Sequence, residues 1–125
     1  MNFSEMSNNN RVNLVLYGIK NCDSCRKAQN WLRSHEVPFA FHDFREDGLS
    51  ETRLKNWLES DHGPKLLNRR STTWKKLTDA EKQSAEKAPL PLLMTNPTLI
   101  KRPLVTDGDE LLDVGFSPAN LEKLI

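Results

Sequence analysis

Hydrophobic and polar positions in the first third of the chain follow two different periods. Residues 12–17 form a short aliphatic and β-branched run that ends at Gly18, which predicts a buried strand. Residues 25–32 repeat apolar or small side chains at three- and four-residue intervals, which predicts an amphipathic helix. Pro38 then opens a run over residues 39–44 that predicts a second strand. A strand, a helix and a strand in this order predict a βαβ unit with parallel strands and a right-handed crossover.

The middle of the chain carries signals for helix starts. Ser50 follows Leu49 and precedes Leu54, which predicts a serine N-cap with a hydrophobic staple. Thr78 and Glu81 have the spacing of a capping box and predict the start of a further helix. We therefore expect a helical insert after the βαβ unit.

The last part of the chain combines a hairpin signal with a helix signal. Asp107-Gly108 lies between two short apolar runs and predicts the turn of a β-hairpin. Ser117 followed by Pro118 predicts an N-cap with proline at the first helical position. The order of elements is then βαβ, a helical insert and ββα. The predicted fold class is α/β, a thioredoxin-like fold with a helical insertion.

Composition limits the number of domains and the kinds of partner. The 125 residues are 37% hydrophobic and 28% charged, which is typical of one folded domain. Residues 1–11 are polar and lack periodicity, so we expect a disordered tail there and a single domain over residues 12–125. The formal net charge of +1 argues against a molecule-wide surface for nucleic acid, and we expect no direct nucleic-acid binding.

The apolar stretches and the cysteine count bear on where the protein resides. No apolar stretch is long enough to span a bilayer, and no signal-peptide core precedes residue 12. Two cysteines cannot build a disulfide framework. We therefore expect a cytoplasmic monomer without membrane contact, in which a close cysteine pair does chemistry or binds metal.

Cys22 and Cys25 form a Cys-x-x-Cys motif between the first predicted strand and its helix. A cysteine at a helix N-terminus meets free N–H groups and the positive end of the helix dipole, which favour the thiolate. The second sulfur, one turn deeper, can close a small disulfide ring with the first. The motif predicts a nucleophilic Cys22 and leaves Cys25 either as a resolving thiol or as a buried structural one.

Metal binding and inert thiols are the alternatives for this cysteine pair. Zinc requires two further ligands, and the sequence contains no second Cys-x-x-Cys motif. His35, His42 and His62 are scattered along the chain. We therefore expect no metal and no bound cofactor.

Two basic features could recognise an anion. One is a segment of five basic residues within twelve positions that contain no acidic residue, namely Lys65, Arg69, Arg70, Lys75 and Lys76. This segment forms either a solvated helical face or a site for an anion or partner. The other is Arg102, which directly precedes Pro103 where an apolar strand begins, and there we expect an anionic substrate or a structural carboxylate.

Several short motifs, each present once, are spread over residues 12–125 in an order and spacing that a known family shares. They are Gly18-Ile19-Lys20-Asn21-Cys22-Asp23, Arg26-Lys27-Ala28, Phe41-His42-Asp43, Leu67-Asn68-Arg69, Thr72-Thr73-Trp74 and Ile100-Lys101-Arg102-Pro103. Together they resemble the arsenate reductase-like (ArsC-like) family, and within it the YffB/Spx branch. The resemblance implies a thioredoxin-like fold with a helical insert, and chemistry that couples a cysteine to glutathione or another thiol.

The resemblance also implies roles for individual residues. Cys22 matches the family's nucleophile and Arg102 the arginine beside its cis-proline, which is Pro103 here, so a cis bond between these two residues is implied. Similar arsenate reductases carry an arginine where this chain has Asn68, and Arg69 follows one place later. The residues expected to be catalytic are Cys22, Cys25 and Arg102, and those expected to contact substrate are Arg69, Arg102 and Pro103.

Two functions of different classes follow from the resemblance. The first is a thiol-dependent oxidoreductase, with glutathione as co-substrate, whose cysteine attacks a mixed disulfide or an oxyanion such as arsenate. The alternative is a redox-sensing transcriptional regulator similar to Spx, in which oxidation of the cysteine pair changes a surface that docks RNA polymerase. The reductase consumes reduced glutathione catalytically, whereas the switch needs one oxidation per molecule.

Overall fold

The computed structural model describes residues 14–125, which divide into two compact units. The first unit runs to Asp43 and resumes at Arg102–Ile125, and the second unit is Phe44–Lys101. The predicted tail over residues 1–11 and the first two residues of the predicted domain lie outside the described residues.

Strands and helices alternate at both ends of the described chain, and helices fill its middle. Among residues 14–125, no helix combines the length and apolar character needed to cross a membrane. In chain order the strands and α-helices are β1 (Leu14–Gly18), α1 (Asp23–Ser34), β2 (Ala40–Asp43), α2 (Glu51–Leu58), α3 (Thr72–Lys75), α4 (Asp79–Lys87), α5 (Leu90–Thr95), β3 (Leu104–Asp107), β4 (Glu110–Val114) and α6 (Pro118–Leu124). Two short 3-10 helices, Gly63–Lys65 and Pro97–Leu99, lie in the helical middle.

The first unit is built on a four-stranded sheet with the strand order β2-β1-β3-β4. β1 pairs in parallel with β2 and antiparallel with β3, which pairs antiparallel with β4. The parallel pair confirms the predicted βαβ unit. One cluster of buried side chains from the sheet, α1 and α6 forms the core of this unit, namely Leu14, Leu16, Ala28, Leu32, Val105 and Leu121.

Side-chain caps begin the helices where the sequence predicts them. The hydroxyl of Ser50 accepts a backbone N–H three residues later at 3.2 Å, and Ser117 does the same at 3.3 Å. Thr78 and Glu81 form the full capping box, with Thr78 accepting at 3.1 Å and Glu81 accepting from the Thr78 N–H at 2.8 Å. These bonds satisfy N–H groups that the first helical turn leaves without intrahelical partners.

The second unit consists of helices and loops with one isolated bridge between Leu67 and Ile100, which confirms the predicted helical insert. Within it, α2 and α4 both pack against α5. Leu54 and Trp57 on α2 and Leu93 on α5 are almost fully buried. The α/β fold class with a helical insertion is therefore confirmed.

The predicted hairpin joins β3 and β4, but its turn lies one residue later than the sequence analysis placed it. Asp107 pairs with Glu110, so the two loop residues are Gly108 and Asp109. Gly108 has a φ of +62°, in the left-handed region that favours glycine. Asp107 remains a strand residue because the glycine occupies the first position of the loop.

Candidate functional site

Cys22 is the N-cap residue of α1, as predicted. Its backbone is extended, with φ −137° and ψ 121°, and its carbonyl accepts the N–H of Arg26 at 3.0 Å. Its thiol is half-buried and forms no disulfide. The sulfur therefore lies at the end of the helix where the dipole and the free N–H groups favour negative charge.

Three groups stabilise the thiolate of Cys22 against the effect of burial. Partial burial on its own raises the pKa of this thiol. The backbone N–H of Cys25, the guanidinium of Arg102 and the thiol of Cys25 all act on the sulfur, and together they hold its pKa below the ordinary value. Cys22 is therefore the more acidic thiol of the pair, and its role as nucleophile stays a prediction.

Cys25 has the opposite environment. Its side chain is fully buried, and burial together with the neighbouring Cys22 raises the pKa of the Cys25 thiol to about 12, although the N–H of Ile19 donates to the sulfur. A Cβ placed on Gly18 would overlap the Cys25 sulfur. Cys25 therefore holds its proton at neutral pH and packs its sulfur directly on the backbone at the end of β1.

Arg102 and Pro103 directly precede β3, and the peptide bond between them is cis, as the resemblance implies. The carbonyl of Pro103 accepts the N–H of Gly115 at 2.8 Å. Antiparallel pairing of β3 with β1, the strand that leads into the Cys22 loop, brings Arg102 to the Cys22 thiol. The structure thus brings together three of the residues that the sequence analysis singled out, Cys22, Cys25 and Arg102.

Arg69, the other predicted substrate contact, belongs to the second unit and has a carboxylate partner there. Its guanidinium makes two hydrogen bonds to Glu86, at 2.7 and 2.5 Å. The same guanidinium lies 5.9 Å from the centre of the Trp74 ring. Arg69 and Glu86 also line a cavity of about 520 Å³ within this unit. The roles of Arg69 and Pro103 in substrate contact stay predictions.

Two residues near the cysteine pair belong to the sequence motifs but were assigned no role in the site. Asp43, at the end of β2, is only 3% exposed, and its carboxylate accepts the backbone N–H of Lys20 at 2.8 Å. Gly18 lies opposite Asp43 in the parallel register. A signal for Asp43 was present in the strand pattern, because Asp43 falls on the same face as the apolar residues Phe39 and Phe41.

No group of three or more His, Cys, Asp and Glu residues suited to hold a metal ion occurs in the described part of the chain. His42 lies on β2 with its ring centre 4.7 Å from that of Tyr17. The ring of His35 stacks on that of Trp31 at 3.8 Å on α1. These two histidines therefore make aromatic contacts.

The sequence matches known proteins over almost its whole length. The model of the ArsC family matches residues 17–124. An uncharacterized protein of Haemophilus influenzae is 42% identical over 106 residues, which cover 83% of this chain and 91% of that protein. The regulatory protein MgsR of Bacillus subtilis is 34% identical over 89% of each chain. The global transcriptional regulator Spx of Enterococcus faecalis is 32% identical over 90% of this chain and 86% of that one.

Solved structures agree with these matches. A YffB protein has a TM-score of 0.80 and 38% identity, covering 89% of this chain and 97% of its own. An arsenate reductase (ArsC) related protein from Brucella melitensis has a TM-score of 0.73 and 35% identity, covering 91% of this chain and 95% of its own. Both similarities span the sheet and the helical insert.

Proposed function

Because the chain belongs to the ArsC family, we propose that it is a thiol-dependent reductase in which Cys22 is the nucleophile and glutathione is the co-substrate. The observation that carries this proposal is the contact of Arg102 with the Cys22 thiol at the N-cap of α1. A thiolate is the reactive form of cysteine, and a neighbouring cation favours that form. The same guanidinium can hold a carboxylate or an oxyanion in a two-point contact.

The proposed reaction transfers glutathione from a mixed disulfide to Cys22 and then to a second glutathione. The Cys22 thiolate attacks the glutathione sulfur, the disulfide bond breaks, and the other thiol leaves and takes up a proton. A second glutathione thiolate attacks the glutathione sulfur now bonded to Cys22. Oxidised glutathione leaves and the Cys22 thiolate returns. Arsenate, held by Arg102, is the alternative substrate. The Cys22 thiolate bonds to arsenic and one hydroxyl of the oxyanion leaves as water; a glutathione thiolate then attacks the Cys22 sulfur, and arsenite leaves with the electron pair of the sulfur–arsenic bond. A second glutathione releases Cys22 as oxidised glutathione, so that two glutathione thiols supply the two electrons.

Cys25 could resolve the intermediate instead of a second glutathione. Its thiol would have to lose its proton first, and its high pKa opposes that step while Cys22 is a thiolate. Once Cys22 is part of a disulfide, its negative charge is gone, and this contribution to the high pKa of Cys25 disappears with it. A cytoplasmic location, where glutathione keeps thiols reduced, suits either route.

The proposed function is tested by turnover with two substrates in parallel, a glutathione mixed disulfide and arsenate, each with reduced glutathione. We expect many molecules of oxidised glutathione per molecule of protein, and only the uncatalysed rate with Cys22→Ser. Cys25→Ser is the matched control, because it removes the other thiol of the motif and leaves the nucleophile. Turnover that survives Cys22→Ser, or no turnover with either substrate, would contradict the proposal.

A second candidate function is a redox-switched regulator that docks RNA polymerase. The similarity to the regulators MgsR and Spx favours it, since each of the two alignments covers nearly all of this chain. The test is binding of the reduced and the oxidised protein to purified RNA polymerase from the same organism. Redox-dependent binding together with absent glutathione turnover would support the regulator over the reductase.

A further inference from the structure

Asp43 is a buried acidic residue whose carboxylate contacts the loop that precedes Cys22. It ends β2, lies opposite Gly18 in the sheet register and is only 3% exposed. A carboxylate in such a place is costly unless polar partners compensate it. One of its oxygens accepts the N–H of Lys20, two residues before Cys22, at 2.8 Å. A hydrogen bond to a charged acceptor is stronger than one between neutral groups.

The loop between β1 and α1 is held at two successive backbone N–H groups. The N–H of Ile19 donates to the sulfur of Cys25, and the N–H of Lys20 donates to Asp43. The side chain of Ile19 is itself buried, with 4% exposed. The loop backbone is therefore fixed to α1 by one bond and to the end of β2 by the next. The position of Cys22, where the loop becomes the helix, depends on both.

We propose that Asp43 is a positioning residue for Cys22. By fixing the N–H of Lys20, its carboxylate places Cys22 so that the sulfur meets Arg102. The proposal deepens the proposed function and rests on it only in treating Cys22 as the reacting group. Asp43 touches the backbone of the loop and acts on the nucleophile through that backbone.

The charged and titratable groups that act on the Cys22 thiol are Arg102, from the segment before β3, and Cys25, from α1. A neutral substitution of Asp43 distinguishes a positioning role from a direct electrostatic one. If the effect of Asp43 passes through the hydrogen bond to Lys20, a neutral acceptor of the same shape preserves it. If it passes through negative charge, the same neutral acceptor loses it.

The experiment measures the rate of Cys22 alkylation by iodoacetamide against pH, with the Cys22 peptide followed by mass spectrometry. For Asp43→Ala we expect the midpoint of the profile to rise by about half a unit to one unit, because the contact between thiolate and guanidinium loosens. For Asp43→Asn we expect the midpoint to stay close to that of the wild type, because the amide oxygen still accepts from Lys20. Asp43→Leu, which branches at the same atom and has no acceptor, replaces Asp43→Ala if the alanine variant does not fold.

Asp113 provides the matched control for loss of a buried acid. It lies in β4 of the same sheet, is 6% exposed, and accepts a hydrogen bond from the side-chain amide of Asn120 at 3.1 Å. Asp113→Ala should lower the melting temperature and leave the alkylation midpoint of Cys22 unchanged.

Three results would overturn the positioning role. They are a wild-type midpoint in Asp43→Ala or Asp43→Leu, an equal shift in Asp43→Asn, and an equal shift in Asp113→Ala. Alkylation does not depend on glutathione turnover. A failure of this proposal is therefore distinguishable from a failure of the proposed function.

Discussion

The guanidinium of Arg102 contacts the thiol of Cys22, although Arg102 precedes β3 and Cys22 caps the N-terminus of α1. The contact exists because β3 pairs with β1, and the Cys22 loop leaves the end of β1. A cation, a helix N-terminus and a second thiol therefore act on one sulfur.

Cys22 should be the reactive thiol in the folded protein. Its pKa is lowered, whereas burial and the neighbouring sulfur raise the pKa of Cys25 to about 12. The rate of alkylation of Cys25→Ser should therefore reach its midpoint below the usual range for a thiol. Cys22→Ser should react slowly until strongly alkaline pH. A lower midpoint in the variant that retains only Cys25 would reverse the assignment.

Arg102→Lys should lower kcat/KM by roughly ten- to a hundredfold, about 1.4–2.7 kcal/mol, with little change in melting temperature. Lysine keeps the charge but loses the planar fork that holds an anion at two points. Arg102→Ala removes the charge as well and should also raise the midpoint of Cys22 alkylation. Turnover of Arg102→Lys at the wild-type rate would remove Arg102 from the site. Loss of activity that only follows unfolding would assign it a structural role.

Mild oxidation should join Cys22 to Cys25 within one molecule. The two thiols are neighbours at the start of α1, and the chain contains no third cysteine to compete. The intact mass should fall by the mass of about two hydrogens, and a non-reducing gel should show no dimer. Cys25→Ala should instead give a mixed disulfide with added glutathione. A disulfide-linked dimer as the main wild-type product would contradict the prediction.

Gly18→Ala should destabilise the protein through the sulfur of Cys25. The new methyl group would overlap that sulfur, whereas the next nearest atoms, the Cys25 Cβ and a ring carbon of Phe41, lie at an ordinary 3.7 Å. Overpacking of this kind costs about 1–3 kcal/mol in the free energy of unfolding.

A double-mutant cycle with Cys25→Ala tests this cause of the Gly18→Ala effect. Removal of the sulfur should recover most of the loss. Additive effects in urea denaturation would show that the sulfur is not responsible.

The free energy of unfolding should decrease as pH rises above about 8.5, because of Cys25. In the unfolded state the Cys25 thiol loses its proton in this range, whereas in the folded state its pKa is about 12 and it keeps the proton. The unfolded state therefore binds fewer protons, and rising pH stabilises it relative to the folded state. Cys22 acts in the opposite sense, since its lowered pKa adds stability that is complete above the unfolded value and is lost as pH falls through the folded value.

Urea denaturation between pH 7.5 and 10.5, under reducing conditions, measures this dependence. The decline should be steeper in the wild type than in Cys25→Ala, because other alkaline groups titrate in both proteins and only the wild type carries the Cys25 thiol. Parallel curves for the two proteins would contradict the assignment to Cys25.

Local signals in the sequence were sufficient for most of the fold. The caps at Ser50, Thr78 and Ser117 each bond to an N–H three residues away, so a short stretch of chain carries all the information. Cys22 could be placed at a helix start for the same reason. The hairpin was placed one residue early, because a dipeptide signal locates a turn but the strand register decides which residues form its loop.

Contacts between residues distant in the chain were decided only by the tertiary structure. Sheet register sets Asp43 beside the Cys22 loop, and the order of the strands brings Arg102 to Cys22. The hydrogen bond from the guanidinium of Arg69 to the carboxylate of Glu86 likewise depends on where α4 lies within the second unit. Residue spacing along the chain carries no distance across a sheet or between packed helices, and these contacts exist only once the core has fixed those distances.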